Sequence, residues 1–141
     1  FQMRGRTIAQ LRRDNFAGID EIYRRWSPNW NVSAADLAPV KRALGAPGGL
    51  EGALGYYWSF RRDLFGRAGA ETRRILRQQT SVPTLALFGD ADGALDQTNL
   101  EATRACFTGE YRLARFARVG HFIHREIPSV FLENVSAFLS A

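Results

Sequence analysis

Hydrophobic and polar positions follow two different rhythms along this chain. Through about residue 70 the apolar residues recur at helical spacing. From Asn15 onward, Phe16, Ile19, Ile22, Tyr23 and Trp26 fall on one helical face, and Pro28 stops the run. The Trp26–Trp30 stretch reads as a turn carrying two large aromatic rings. Asp36 is expected to cap a short helix bearing Leu37, Val40 and Leu44, with Pro39 tolerated in its first turn. Glycines and Pro47 between Gly45 and Gly49 break the chain, after which Leu50, Leu54, Tyr57, Trp58, Leu64 and Phe65 line a longer helix.

The second half changes character. After a charged helical piece at Glu71 to Gln78, Thr84 to Phe88 is a short, nearly unbroken apolar run entered through Pro83 and ended by Gly89. That is how a strand buried on both faces of a parallel sheet reads, with the proline where its missing N–H costs least. Thr98 and Glu101 have capping-box spacing and predict a helix burying Leu100, Thr103 and Phe107. Glu110 to Phe116 is a second, more polar strand nearer an edge. Gly120 and His121 follow in a loop, and Pro128 opens a last helix whose inward stripe is Ile127, Val130, Phe131, Val135, Phe138 and Leu139. The order strand, helix, strand, loop, helix is the tail of a parallel α/β layer. The acidic residues Asp90 and Asp92 sit at the carboxyl end of the first strand, where such sheets keep their ligand crevices. About thirty residues later comes His121, so the last two strands deliver an acid and a base.

Composition narrows the classes. At 141 residues and 45% hydrophobic, the chain can bury one ordinary core and is not disordered by composition. No apolar run is long enough to span a bilayer, and no membrane partner is expected. The single cysteine, Cys106, forms no internal disulfide and has no metal-site spacing, which makes a cytoplasmic setting the default. The net charge of +5 comes from scattered arginine pairs, among them Arg12–Arg13, Arg24–Arg25, Arg61–Arg62 and Arg73–Arg74. Nucleic-acid binders cluster such charge into a stripe, so solvated helix faces are expected and no nucleic-acid partner.

Four features in order carry a family resemblance: Val82-Pro83-Thr84 entering a strand, Gly89-x-x-Asp92 at its exit, Gly120-His121-Phe122 before the last helix, and Glu126-x-Pro128 after the histidine. In this order and spacing, residues 81–139 resemble the C-terminal segment of an α/β-hydrolase. The helical first half resembles the cap of the epoxide-hydrolase-like branch, through Phe1-Gln2, Trp26-Ser27-Pro28 and the stretch from Gly52 to Tyr57. The resemblance implies an α/β fold class: the last two parallel strands of an α/β-hydrolase with their flanking helices, preceded by a helical cap. It divides the chain into a cap at 1–70 and a core segment at 71–141. It implies that Asp92 is the acid and His121 the base of a nucleophile-His-Asp triad.

The chemistry suits those residue types. A histidine near neutrality both takes and returns a proton, and a carboxylate on its other ring nitrogen fixes the tautomer. In an epoxide hydrolase the histidine activates the water that cleaves an aspartyl ester; in an esterase it first deprotonates a serine. The resemblance also matches Tyr57 to a cap tyrosine that donates a hydrogen bond to the opening epoxide oxygen, although the family's following arginine is Trp58 here. Tyr57, Trp58 and Phe60 are candidate walls of an apolar substrate pocket, which implies a small hydrophobic ester or epoxide and no cofactor.

Each candidate has a plainer reading. Asp92 before Gly93 is also a turn signal, with Asp96 as the fallback acid and Asp90 a surface turn residue. His121 and His124 stand one helical turn apart, a spacing that holds a metal only with further ligands. Glu126 reads as a helix-start carboxylate, and Tyr57 as a core tyrosine.

No Gly-x-Ser-x-Gly elbow or aspartate counterpart occurs in the sequence, and Ser59 and Ser81 lack the glycine framing. The chain starts at Phe1 rather than methionine. Three expectations follow: a truncated chain, a processed enzyme whose N-terminal half is a separate partner chain, or a self-assembling homo-oligomeric remnant. On the first two, the N-terminal half supplies the nucleophile and this polypeptide alone is hydrolytically inactive. The rival class is a non-catalytic binding module in which Asp92 and His121 are idle.

Overall fold

A computed structural model describes residues 4–65 and 69–140. The Phe1-Gln2 opening and the side chains of Arg61, Arg62 and Glu101 lie outside the described residues. The chain divides into two compact units, one running through Ile22 and including Val32–Gln78, the other made of Tyr23–Asn31 and the residues from Gln79 onward.

The first unit is helical: α1 (Arg4–Arg12), the main part of α2 (Ala17–Trp26), α3 (Ala34–Gly45), α4 (Gly49–Phe65) and α5 (Gly69–Leu76). Its core is built from part of each stripe read in the sequence, with Ile19 of α2, Leu37 of α3, and Leu50 and Leu54 of α4 buried, whereas Tyr57 and Phe65, expected on the same α4 stripe, are exposed. Lys41 and Asp20 tie α3 to α2 through a half-buried ion pair at 2.8 Å. The start of α3 differs from expectation. Ser33 is the cap, accepting from the Asp36 amide, while the Asp36 carboxylate reaches back to the Ser33 amide at 2.9 Å. A hydroxyl is short enough to face the amide three residues on, so the pair forms a capping box with Asp36 as its third residue. Pro39 therefore lies inside α3 rather than in its first turn.

The second unit contains a two-stranded parallel sheet, β1 (Thr84–Gly89) and β2 (Tyr111–Phe116), in register from Thr84 opposite Tyr111 to Gly89 opposite Phe116. The crossover runs through α6 (Gln97–Thr103), and the chain ends in α7 (Ile123–Glu126) and α8 (Pro128–Leu139). Parallel strands need such a crossover because the end of β1 and the start of β2 lie at opposite ends of the sheet. Phe88, Val119 and Ile123 are buried here, whereas Thr84 to Leu87 are only half-buried. At the start of α6 the acceptor is Asp96, which takes both the amide (2.9 Å) and the hydroxyl (2.8 Å) of Thr98. Thr98 is thus a donor inside the first turn and not the cap. A carboxylate in an Asx turn outcompetes a hydroxyl for the same amides.

Candidate functional site

The site lies at the carboxyl end of β1, within the second unit. The chain leaves the strand through a tight turn in which the Asp92 amide donates to the Gly89 carbonyl at 3.0 Å and the Ala91 amide to the Val119 carbonyl at 2.8 Å. Glycine is needed at position 89, because a Cβ there would run into the carbonyls of Val119 and Gly120. The Asp92 carboxylate is then held by its own loop: Oδ1 accepts the amides of Ala94 at 2.7 Å and Leu95 at 3.0 Å. Its second oxygen faces the imidazole of His121, Oδ2 to Nδ1 at 2.9 Å.

The two side chains differ in exposure. That of Asp92 is 5% exposed and that of His121 29%. The carboxylate therefore has a fixed partner set and little water, and the ring keeps one side open. With Nδ1–H donated to Asp92, the lone pair is on Nε2, the atom that would exchange protons with a reacting group.

The histidine loop is fixed by a segment far away in sequence. The Trp26 carbonyl accepts both the Gly93 amide (3.1 Å) and the His121 amide (3.0 Å), joining the acid's loop to the base's loop. The Trp26 ring meets the imidazole edge-on at 5.0 Å, and Phe122 stacks on Tyr23 at 4.0 Å. Burial pushes the Tyr23 phenol up, with the Arg125 charge pulling the other way. Ser27 is fully buried and donates to Glu126 Oε1 at 2.7 Å, and Glu126 also accepts the amides of Gly120 (2.9 Å) and Phe122 (3.2 Å). A Cβ at Gly120 would strike Ser27, so only glycine lets the two backbones approach this closely. Upstream, Arg118 adopts the left-handed region at φ 64 and its carbonyl accepts from Asn29 at 2.9 Å.

The sequence candidates separate cleanly. Asp92 and His121 are brought together. Asp90 is exposed, and Asp96, also exposed, caps α6; its bonds from the Thr98 amide and hydroxyl hold its carboxyl below the usual aspartate range. Glu126 is more than a helix-start carboxylate, since it anchors the backbone on both sides of His121. His124 packs edge-on against Phe131 at 6.0 Å, and no group of three metal-ligating side chains occurs among the described residues. Tyr57, Trp58 and Phe60 lie on α4 in the first unit. Tyr57 and Phe60, one turn apart, share an exposed face beside Tyr56, while Trp58, about 100° round the helix, is half-buried.

Sequence reasoning missed Ser27 and the Trp26 carbonyl. The spacing from His121 to Glu126 was visible as a motif, but its partner was not: Ser27 entered only as part of the Trp26-Ser27-Pro28 motif, with nothing to mark it as a partner of Glu126.

No family model and no curated protein matches the chain. Among solved structures, the chain is similar to the crystal structure of a "putative epoxide hydrolase" from Klebsiella pneumoniae. The likeness has a TM-score of 0.78 at 29% identity and covers 95% of this chain and 45% of that one. The chain thus spans less than half of that protein. No helix among the described residues is long and apolar enough to cross a membrane. The chain has the fold of part of an α/β-hydrolase, and it resembles the epoxide-hydrolase-like branch of that superfamily.

Proposed function

We propose that this chain supplies the acid and the base of a nucleophile-His-Asp hydrolase acting on small hydrophobic epoxides or esters, with the nucleophile provided by the N-terminal half of the hydrolase core. The observation that carries the reading is the 2.9 Å contact between a nearly buried Asp92 carboxylate and Nδ1 of a partly open His121 ring. A carboxylate so placed holds one tautomer and stabilises the imidazolium as it forms. The likeness to about half of an epoxide-hydrolase structure supports the same class.

On the ester route, His121 Nε2 takes the proton of a serine hydroxyl as its oxygen attacks the carbonyl, then returns it to the leaving alkoxide. On the epoxide route, an aspartate attacks a ring carbon and the C–O bond breaks. Tyr57 then donates its phenolic proton to the departing oxygen, His121 draws a proton from the water that cleaves the ester and frees the aspartate, and that proton returns through solvent to the Tyr57 phenolate. In either case the resemblance to the epoxide-hydrolase-like branch supports Tyr57, Trp58 and Phe60 as apolar wall residues. Neither route requires a cofactor from these residues.

The test is hydrolysis of small aryl esters and aryl epoxides by the natural protein, its N-terminal half in place, and by the same protein carrying His121→Ala. The reading expects turnover that falls by at least about a thousandfold in the variant, since the base is lost from a unit that acts together. Equal rates in the two proteins, or no hydrolysis of either substrate class by the natural protein, would favour the non-catalytic binding module.

A further inference from the structure

Three consecutive backbone amides around the candidate base are all taken. Gly120 donates to Glu126 Oε2 at 2.9 Å, His121 to the Trp26 carbonyl at 3.0 Å, and Phe122 to Glu126 Oε1 at 3.2 Å and Ser27 Oγ at 3.3 Å. Ser27 is fully buried, and its hydroxyl closes the set by donating to Glu126 Oε1 at 2.7 Å. None of these groups touches the imidazole nitrogens. They act on the backbone that carries the ring, and they act from both sides of it.

We propose that Ser27 and Glu126 are positioning residues for His121, a buried hydroxyl–carboxylate pair that sets the ring's angle to Asp92. The inference rests on reading His121 as the base. The physical argument is the count of acceptors. The amides of Gly120 and Phe122 go to different oxygens of Glu126, so the group that takes both accepts on each of its oxygens. A carboxylate does so; an amide of the same shape presents an oxygen to one and an NH2 to the other. Ser27 supplies the donor that holds the carboxylate in this orientation, and Gly120 leaves the room for it. Loosening the loop frees the imidazole to rotate, and its neutral form then drifts from the Nδ1–H tautomer that Asp92 enforces toward the Nε2–H tautomer. In that form Nε2 has no lone pair for the substrate side.

The experiment is imidazole 15N spectroscopy of the natural protein and its Glu126→Gln and Ser27→Ala variants. His124 serves as the internal control, and kcat and KM are measured alongside. In the unmodified protein the neutral His121 ring is expected to carry its proton on Nδ1. In folded Glu126→Gln the ring becomes a mixture of tautomers while His124 is unchanged. The value of kcat is expected to fall by up to about a hundredfold, with KM altered by less than about twofold. Ser27→Ala gives the same change, smaller. A folded Glu126→Gln protein with an unchanged His121 tautomer overturns the proposal. So do two variants that both fail to fold, because the pair would then be a folding requirement and not a positioning device. If the natural protein hydrolyses nothing, the spectroscopic arm still decides this point, and only the hydrolase reading falls.

Discussion

In the second unit, the backbone around Asp92 and His121 is bonded to the Trp26 carbonyl and the Glu126 carboxylate, and the Asp92 carboxylate accepts the amides of Ala94 and Leu95. In the first unit, Tyr57 and Phe60 stand exposed further along α4, the helix whose first turns bury Leu50 and Leu54. The contrast matches the demands of the proposed chemistry. Proton transfer tolerates little error in position, so acid and base are fixed by hydrogen bonds of defined length. A substrate wall, the role proposed for Tyr57, Trp58 and Phe60, needs only apolar area of roughly the right shape. Changes near β1 should therefore act on the chemical step, and changes on α4 on which substrate is accepted.

The largest effect expected is that of Asp92→Asn. Its Oδ1 can still accept the amides of Ala94 and Leu95, so the fold should persist, while the group facing Nδ1 becomes an amide and favours the wrong tautomer. By analogy with other triads, kcat should fall by about 10⁴, read by steady-state kinetics with circular dichroism as the check on folding. Next comes Gly120→Ala. The added methyl meets Ser27, and overpacking of this kind costs about 3 kcal/mol, measured as a lowered denaturation midpoint together with lost turnover. If the midpoint is unchanged, the close approach of the two backbones is not a constraint.

Tyr57→Phe probes the other unit. With the ring 52% exposed, stability should not change measurably. Turnover of epoxides should fall on the order of a hundredfold and that of esters should not, because only the epoxide route takes a proton from the phenol. An equal loss on both substrates would erase the distinction between chemical and recognition regions. The smallest effect concerns acid. The Asp96 carboxyl titrates lower in the folded protein than unfolded, so the stability it lends α6 is present above the ordinary aspartate value and disappears as the pH falls through the depressed one. Amide exchange in α6 should accelerate in that window, and in Asp96→Ala the acceleration should be present at neutral pH.

Much of this architecture was legible because its signals are local. The apolar run at Thr84–Phe88, the proline opening α8 and the helical stripe from Ile19 to Trp26 each need only their own residues to be read, whereas Phe16 stands before α2 in the left-handed region. Val130 and Leu139, expected on the inward stripe of α8, are exposed, and two further errors were local competitions decided by geometry. Ser33 displaced Asp36 as a cap, and Asp96 displaced Thr98, since the winner depends on which side chain reaches a particular amide. The limited burial of β1 was not legible either, because burial belongs to what covers a strand and not to the strand.

Sequence alone determined the residue types and their order: a glycine-ended strand with aspartates after it, then a glycine–histidine pair, then Glu126-x-Pro128. These are properties of consecutive residues. Which of three nearby aspartates meets the imidazole, and what holds the imidazole still, was decided only in three dimensions. Asp92 and His121 are 29 positions apart, and Ser27 and Glu126 are 99. A hydroxyl and a backbone carbonyl bear no mark in the sequence of the distant amides they will satisfy, because that pairing is set by where folding buries them.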